Sequence, residues 1–328
     1  MPGFTLHNLT ERVPDDLAGG VVAIGNFDGV HRGHQAVLGR ALTEARQAGV
    51  PALALSFEPH PRTLFKPESP VFRLTDEAQK AAVLEAFGMD ALLSLPFTRE
   101  LAGTEAEDFV THILRGRAAA SHIVTGFNFH FGKGRAGSPQ FLRESGARDG
   151  FGVTTVEAEE NGGEPISSSR IRRCLGAGDV GSAADLLGYR WRVGGTVVKG
   201  AQLGRTLGYP TANLKLAENC RLAHGIYAVR LRRADGTLYD GVASFGRRPT
   251  FDNGAPVLET FVFDFADDLY GEHIEVSLFD HLRGEEKFDS AEALVEQMDR
   301  DSAAARVALA AAKPLSDLDQ RLSFRGKT

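Results

Sequence analysis

In the first half of the chain, apolar residues fall in short, nearly continuous runs at 21–25, 51–57, 91–95, 122–126 and 153–156. Continuity of this kind marks strands covered on both faces, because a strand with one wet face alternates apolar and polar positions. Helix-like segments lie between the runs, at 33–48, 76–87 and 105–115. Thr104 followed three residues later by Glu107 has the spacing of a capping box and predicts the start of the third helix. Alternating strand and helix predict a parallel sheet flanked by helices, whose ligands lie beyond the carboxyl ends of the strands.

The pattern changes near 176–189, where a short helical segment leads to Trp191. Strand-like runs at 192–198, 225–232, 238–245, 257–265 and 273–282 then follow one another through Gly-rich turns, with no helix between them. That succession predicts an antiparallel sheet or barrel. A helix over 290–312 closes the pattern, with Glu292, Gln297, Arg300 and Asp301 on its polar side. The change divides the chain into two expected domains, 1–186 and 187–328.

Composition narrows the function. The 328 residues suffice for two cores, and 42% hydrophobic with 24% charged residues is ordinary globular usage. A net charge of -6 argues against a nucleic-acid binder, so any phosphate recognition must come from locally placed cations and backbone N–H groups. Cys174 and Cys220 stand far apart without metal-ligand spacing, which argues against a disulfide framework or a cysteine zinc site. The first residues are polar, and no apolar run approaches the ~18 residues of a membrane span. A cytoplasmic protein without a membrane partner is the expectation, and its oligomeric state is left open.

Chemistry concentrates at the ends of the strand runs. GNFDGVHRGH, residues 25–34, follows the first strand and opens the first helix. Gly25, Gly29 and Gly33 permit a tight turn and close backbone approach, and a helix N-terminus offers unpaired N–H groups to phosphate. His31 and His34 share one side of the helical turn, where two imidazoles can donate to an anion and stabilise a leaving pyrophosphate.

This run resembles the ATP-binding signature of the nucleotidylyltransferase superfamily, in the form found in FMN adenylyltransferases. SFEPHP at 56–61, GFNFHFG at 126–132 and ISSSRIR at 166–172 are similar to further segments of that family, and each follows a predicted strand. Ser168 and Ser169 suit a helix cap whose hydroxyls and N–H groups meet phosphate oxygens, and Arg170 or Arg172 can neutralise a triphosphate. The resemblance implies a Rossmann-like parallel-sheet domain that binds ATP through Gly25, Phe27, Asp28, Gly29, His31, Gly33, His34, Ser168, Ser169 and Arg170. It implies FMN contacts at Pro59, Pro61, Asn128 and Phe131. Family members more often carry Thr at the place of Ser169, and often Asp and Arg at those of Asn128 and His130.

GAQLGRTLGYPTAN at 200–213 resembles the signature of riboflavin kinases. Gly200, Gly204 and Gly208 permit a loop that wraps ATP phosphates through main-chain N–H groups, and Pro210 presents Thr211 rigidly. Thr211 and Asn213 offer hard oxygens that suit Mg²⁺. Strand alternation places Glu259 on one face with Val257, Phe261 and Phe263, a desolvated setting that suits a general base, and the family places its base at this glutamate. By resemblance Arg248 and Arg283 contact the flavin, Arg283 from a mobile flap, on an antiparallel β-barrel with a C-terminal helix. The chain is thus expected to phosphorylate riboflavin to FMN and to adenylylate FMN to FAD, using ATP and Mg²⁺. Its alternative is a riboflavin kinase whose nucleotidylyltransferase domain is degenerate or differently specific.

Overall fold

A computed structural model describes residues 3–200, 207–247 and 256–325. The chain divides into two compact units, Met1–Ser167 and Ser168–Thr328.

The first unit is built on six strands, β1 (Thr5–Asn8), β2 (Val21–Ile24), β3 (Ala52–Glu58), β4 (Ala91–Pro96), β5 (His122–Gly126) and β6 (Gly152–Val156). All neighbours pair in parallel in the order β1-β4-β3-β2-β5-β6. The chain leaves β2 in one direction through β3 and β4, and fills the other side with β5 and β6. The order therefore reverses at β2 and β5, where such sheets open a crevice at their carboxyl ends. Helix α1 (Arg32–Ala48) buries Val37, Leu38, Ala41, Leu42 and Ala45. A second core joins Val22, Ile24, Leu53 and Leu93 of the sheet to Phe109 and Val110. The latter belong to a π-helical stretch, Phe109–Arg117, that continues α5 (Ala106–Asp108) out of the shorter α2 (Pro61–Phe65), α3 (Glu77–Phe87) and α4 (Arg99–Ala102) region.

The capping box expected at Thr104 is absent. Its hydroxyl donates back to the Glu100 carbonyl at 3.2 Å, and Glu105 stands at the N-cap of α5 without a side-chain cap bond. The capping box of this unit is at α3, where Asp76 and Gln79 satisfy each other's backbone N–H groups. Among the elements that escaped the sequence pattern are β1 and α6 (Pro139–Asp149). β1 is a largely exposed edge strand without an apolar run, and α6 is short and set by its Ser138 cap and N-terminal proline. A small hairpin, β7 (Glu160–Asn161) with β8 (Glu164–Pro165), ends the unit.

The second unit begins with α7 (Ser168–Gly176) and α8 (Val180–Leu187) and continues as an antiparallel sheet. Its strands are β9 (Arg192–Thr196), β10 (Thr211–Lys215), β11 (Gly225–Arg232), β12 (Leu238–Arg247), β13 (Pro256–Val262) and β14 (His273–Arg283), in the order β10-β13-β12-β11-β14-β9. A bridge from Val198, just past β9, to Asn213 of β10 joins the two edges and nearly closes a barrel. β10 lies inside what the sequence marks as a nucleotide loop, so that motif ends as a strand. Helix α9 (Ala291–Ala311), capped by Ser290, packs Ala305 and Leu309 against Ala228, Val242 and Phe263. Asp301, expected on the polar side of this helix, is buried instead.

A last turn, α10 (Asp317–Asp319), anchors the chain end. The fully buried Asp319 accepts the Arg190 amide at 3.0 Å and the Leu315 amide at 3.0 Å, and pairs with the Arg190 guanidinium. That guanidinium also lies over the rings of Phe279 and Phe324. Removing one partner of a buried ion pair leaves the other unsolvated, so Asp319→Ala should cost about 3–5 kcal/mol. The single tryptophan, Trp191, is buried beside Arg190, so its fluorescence during urea unfolding reads this unit; an unchanged midpoint would refute the assignment.

Candidate active sites

The loop between β2 and α1 stands at the strand-order reversal. Phe27 and Val30 hold φ angles of 47° and 37°, in the left-handed region that residues with side chains avoid at a cost of order 1–2 kcal/mol each. Neighbouring groups fix the loop in this shape. Both side chains are buried, and the buried Asp28 carboxylate accepts the amides of Leu74 at 2.9 Å and Thr75 at 3.2 Å. The Gly29 amide donates to the Thr75 hydroxyl at 3.1 Å, and the Gly25 amide to the Leu55 carbonyl at 3.1 Å.

His31 caps α1, its Nδ1 accepting the His34 amide at 3.3 Å, which leaves the proton of the neutral ring on Nε2. The His31 and His34 rings stack with centroids 3.7 Å apart and 15° between planes, and Phe27 meets His34 edge-on at 5.3 Å. Gly33 is required here, because a Cβ would come within 3.3 Å of the His31 ring and 3.5 Å of the Ile166 carbonyl. His34 Nδ1 is buried without a hydrogen-bond partner among the described residues. Burial, and then the neighbouring His31 ring and Lys80 ammonium, push the His34 imidazole well below its ordinary range.

The other expected residues of this site are distributed as follows. Pro59 is exposed and Pro61 starts α2, both just past the carboxyl end of β3. Asn128 is exposed past β5, its carbonyl 2.9 Å from Nδ1 of His130. Phe131, expected on the flavin, is instead buried among the rings of Phe109, Phe129 and Phe141. Ser168, Ser169 and Arg170 form the first turn of α7, in the second unit.

In the second unit a cleft of about 780 Å³ brings together Thr211, Ser244, Glu259 and Arg283. Strand register explains the grouping, since Glu259 of β13 lies opposite Asn213 on β10 and Ser244 on β12. Phe261 shares the cleft wall with Glu259, as alternation predicts. Asn213 is buried, and its side-chain amide donates to the Thr211 carbonyl at 3.3 Å. A Cβ on Gly200 would lie 2.7 Å from that amide nitrogen, so only glycine lets the strand carrying Val198 lie this close. Gly208 turns the chain into β10 with φ of 85°. Gly204 and Arg248 lie outside the described residues.

Arg283 is the last residue of β14. Its guanidinium is held by the Asp301 carboxylate at 2.9 and 2.6 Å, and that bond raises its proton affinity further. Tyr209 packs on Phe261 at 4.7 Å and donates to Asp299; burial, then Asp299, push its hydroxyl up to about 12, so it stays a donor.

Two family models cover the chain in succession, FAD synthetase over residues 13–170 and riboflavin kinase over 187–309. A Pseudomonas fluorescens bifunctional riboflavin kinase/FMN adenylyltransferase is 41% identical over 93% of this chain and 96% of its own length. Its counterpart in Escherichia coli (strain K12) is 37% identical over 94% and 98%. The chain belongs to the bifunctional riboflavin kinase/FMN adenylyltransferase family. A solved structure described as a macrolide-efflux protein from Streptococcus pneumoniae is similar in fold, with TM-score 0.80 and 30% identity over 92% of this chain and 98% of that one.

Within this family fold, the sequence motifs mark the residues of the loops and, Asp28 apart, few of those that hold the loops. Thr75, Lys80 and Asp299 were missed, Ser56 was marked only as the start of a motif, and Asp301 was expected on the polar side of its helix. One signal was available: Lys80 shares the buried face of α3 with Val83 and Leu84, at helical spacing, where a lysine is out of place.

The geometry at His34 has a consequence for titration. The buried imidazole should stay neutral in an NMR titration well below the pH at which free histidine protonates. The unfolded chain binds that proton and the folded chain does not. Stability contributed here is therefore complete at neutral pH and declines as pH falls through the ordinary histidine range. Protonation of His34 at the ordinary value would contradict its burial.

Proposed function

We propose that the chain makes FMN from riboflavin and ATP in its second unit, and FAD from FMN and a second ATP in its first. Carrying the reading is the succession of two family models along one chain, FAD synthetase at 13–170 and riboflavin kinase at 187–309. We place the functional division after residue 186 and the protein in the cytoplasm, where ATP and flavin are at hand. Among the described residues no helix is long and apolar enough to cross a membrane.

In the kinase half, Glu259 accepts the proton of the terminal ribityl hydroxyl as that oxygen attacks the γ-phosphorus and ADP leaves. The cleft that holds Glu259 has Phe261, Ile226 and Val242 to cover the flavin ring, with Arg283 fixed at its edge. The backbone at Gly200, Gly204 and Gly208 follows the phosphates, and Arg248 is a further flavin contact. Mg²⁺ fits the neutral hard oxygens of Thr211 and Asn213 beside Glu259, and when bound it offsets negative charge on the phosphates. Among the described residues no group of three His, Cys, Asp or Glu side chains is placed to hold a metal without such help.

In the adenylyltransferase half, an FMN phosphate oxygen attacks the α-phosphorus of ATP and pyrophosphate leaves. The nucleophile is already anionic, so no base is needed and no covalent enzyme intermediate forms. The neutral His31 and His34 rings donate through N–H groups to the triphosphate, and the Phe27 amide approaches it from the loop. Ser168, Ser169 and Arg170 are proposed as additional phosphate ligands, and Pro59, Pro61 and Asn128 as FMN contacts.

The two halves should be separable by mutation. Glu259→Ala should lower FMN formation by about 10²–10⁴-fold, leaving FAD formation from supplied FMN within twofold. His31→Ala with His34→Ala should lower FAD formation by about 10²–10³-fold and spare FMN formation. Chromatography of flavin products reads both. Equal loss of both activities in either variant would defeat the assignment. A wild-type chain that adenylylates other phosphomonoesters but not FMN would favour the differently specific alternative.

A further inference from the structure

We propose that Lys80 is a positioning residue for adenylyl transfer: through Ser56 its ammonium fixes the Asn26 carbonyl, and so the loop that meets the nucleotide. The inference rests on the adenylyltransferase reading above.

Lys80 is 2% exposed, in the core of the first unit, where an ammonium is retained only with partners. Its Nζ donates to the Ser56 hydroxyl at 2.8 Å, and that hydroxyl donates to the Asn26 carbonyl at 2.9 Å. An ammonium has no lone pair, so the Ser56 proton must turn toward Asn26. The carbonyl is thereby held inward, and the trans peptide plane points the Phe27 N–H to the opposite side. Phe27 is the first strained residue of the loop. The chain of two bonds thus selects the loop conformation in which a main-chain donor faces away from the core.

The short contact of Lys80 is with Ser56 and not with a carboxylate. Glu58, at the carboxyl end of β3, stands 4.0 Å from Nζ and pairs with Arg73 instead. Charged groups face the ammonium from each packed element: Arg73 before α3, Glu58 on β3, Asp28 in the loop and Glu77 on α3. The positive Lys80 also acts on His34 of α1, helping to keep that ring neutral. Burial, then Arg73, weaken the hold on the proton against the pull of Glu58, Asp28 and Glu77, bringing Lys80 to about 8. A neutral amine can accept the Ser56 proton and release the Asn26 carbonyl. Adenylyl transfer should therefore fall as pH rises through this range.

The full-length chain tests this, with riboflavin phosphorylation in the same preparations as the control for folding. Lys80→Met, Ser56→Ala and the double variant are assayed for FAD formation from FMN and ATP between pH 7 and 9. Each single variant should lose about 10–100-fold in kcat/KM for ATP, and the double variant no more than the more damaging single variant, because both act through one carbonyl. Riboflavin phosphorylation should stay within twofold, and the alkaline fall of the wild type should be absent in Lys80→Met. Additive losses, or Lys80→Met at wild-type rate with its alkaline limb intact, would overturn the proposal. If Lys80→Met does not fold, Ser56→Ala decides: wild-type activity with an unchanged pH profile overturns it. A wild-type chain that forms no FAD would instead remove the adenylyltransferase reading itself.

Discussion

A loop that grips phosphate through main-chain amides must keep those amides unspent, so its shape has to be held by other groups. The buried Asp28 carboxylate meets that requirement in the first unit by accepting the amides of Leu74 and Thr75 at 2.9 and 3.2 Å. Phe27 and Val30 are kept in left-handed conformations on either side of it, their side chains sunk in the core. Burying their rings and methyl groups contributes about 1.5–3 kcal/mol apiece, enough to offset backbone strain of the same order. The stacked histidines depend on the same arrangement, since His31 caps α1 only where the loop delivers it.

The second unit meets the same requirement with a different fold. There the loop ends on a strand, and Asn213 is fastened at the near-closure of the barrel, opposite Glu259 in register. Tyr209 ties the approach to β10 to Asp299 of α9, and Asp301 of the same helix holds Arg283. The long helix thus does more than cover the barrel core. Its carboxylates set two side chains of the cleft wall.

Much of this was legible along the chain. Unbroken apolar runs gave five of the six parallel strands, the glycine-histidine motif located the loop between β2 and α1, and the glycine-proline-threonine motif ends on β10. What could not be read was of two kinds. β1 and β10 lack a distinctive run, one being an exposed edge and the other lying inside a motif read as loop. Several supporting residues also escaped, because Thr75, Lys80 and Asp299 come from elements distant in sequence and carry no motif of their own. Phe131 shows that a residue inside a motif can also be a packing side chain, its ring 5.1 Å from that of Phe109.

An FAD synthetase domain and a riboflavin kinase domain in one polypeptide imply two successive reactions whose shared species is FMN. Incubating the purified chain with riboflavin, ATP and Mg²⁺, and separating the flavins over time, tests that directly. FMN should appear first and FAD after it, with ADP and then pyrophosphate released. FMN accumulating without FAD or pyrophosphate would contradict the account.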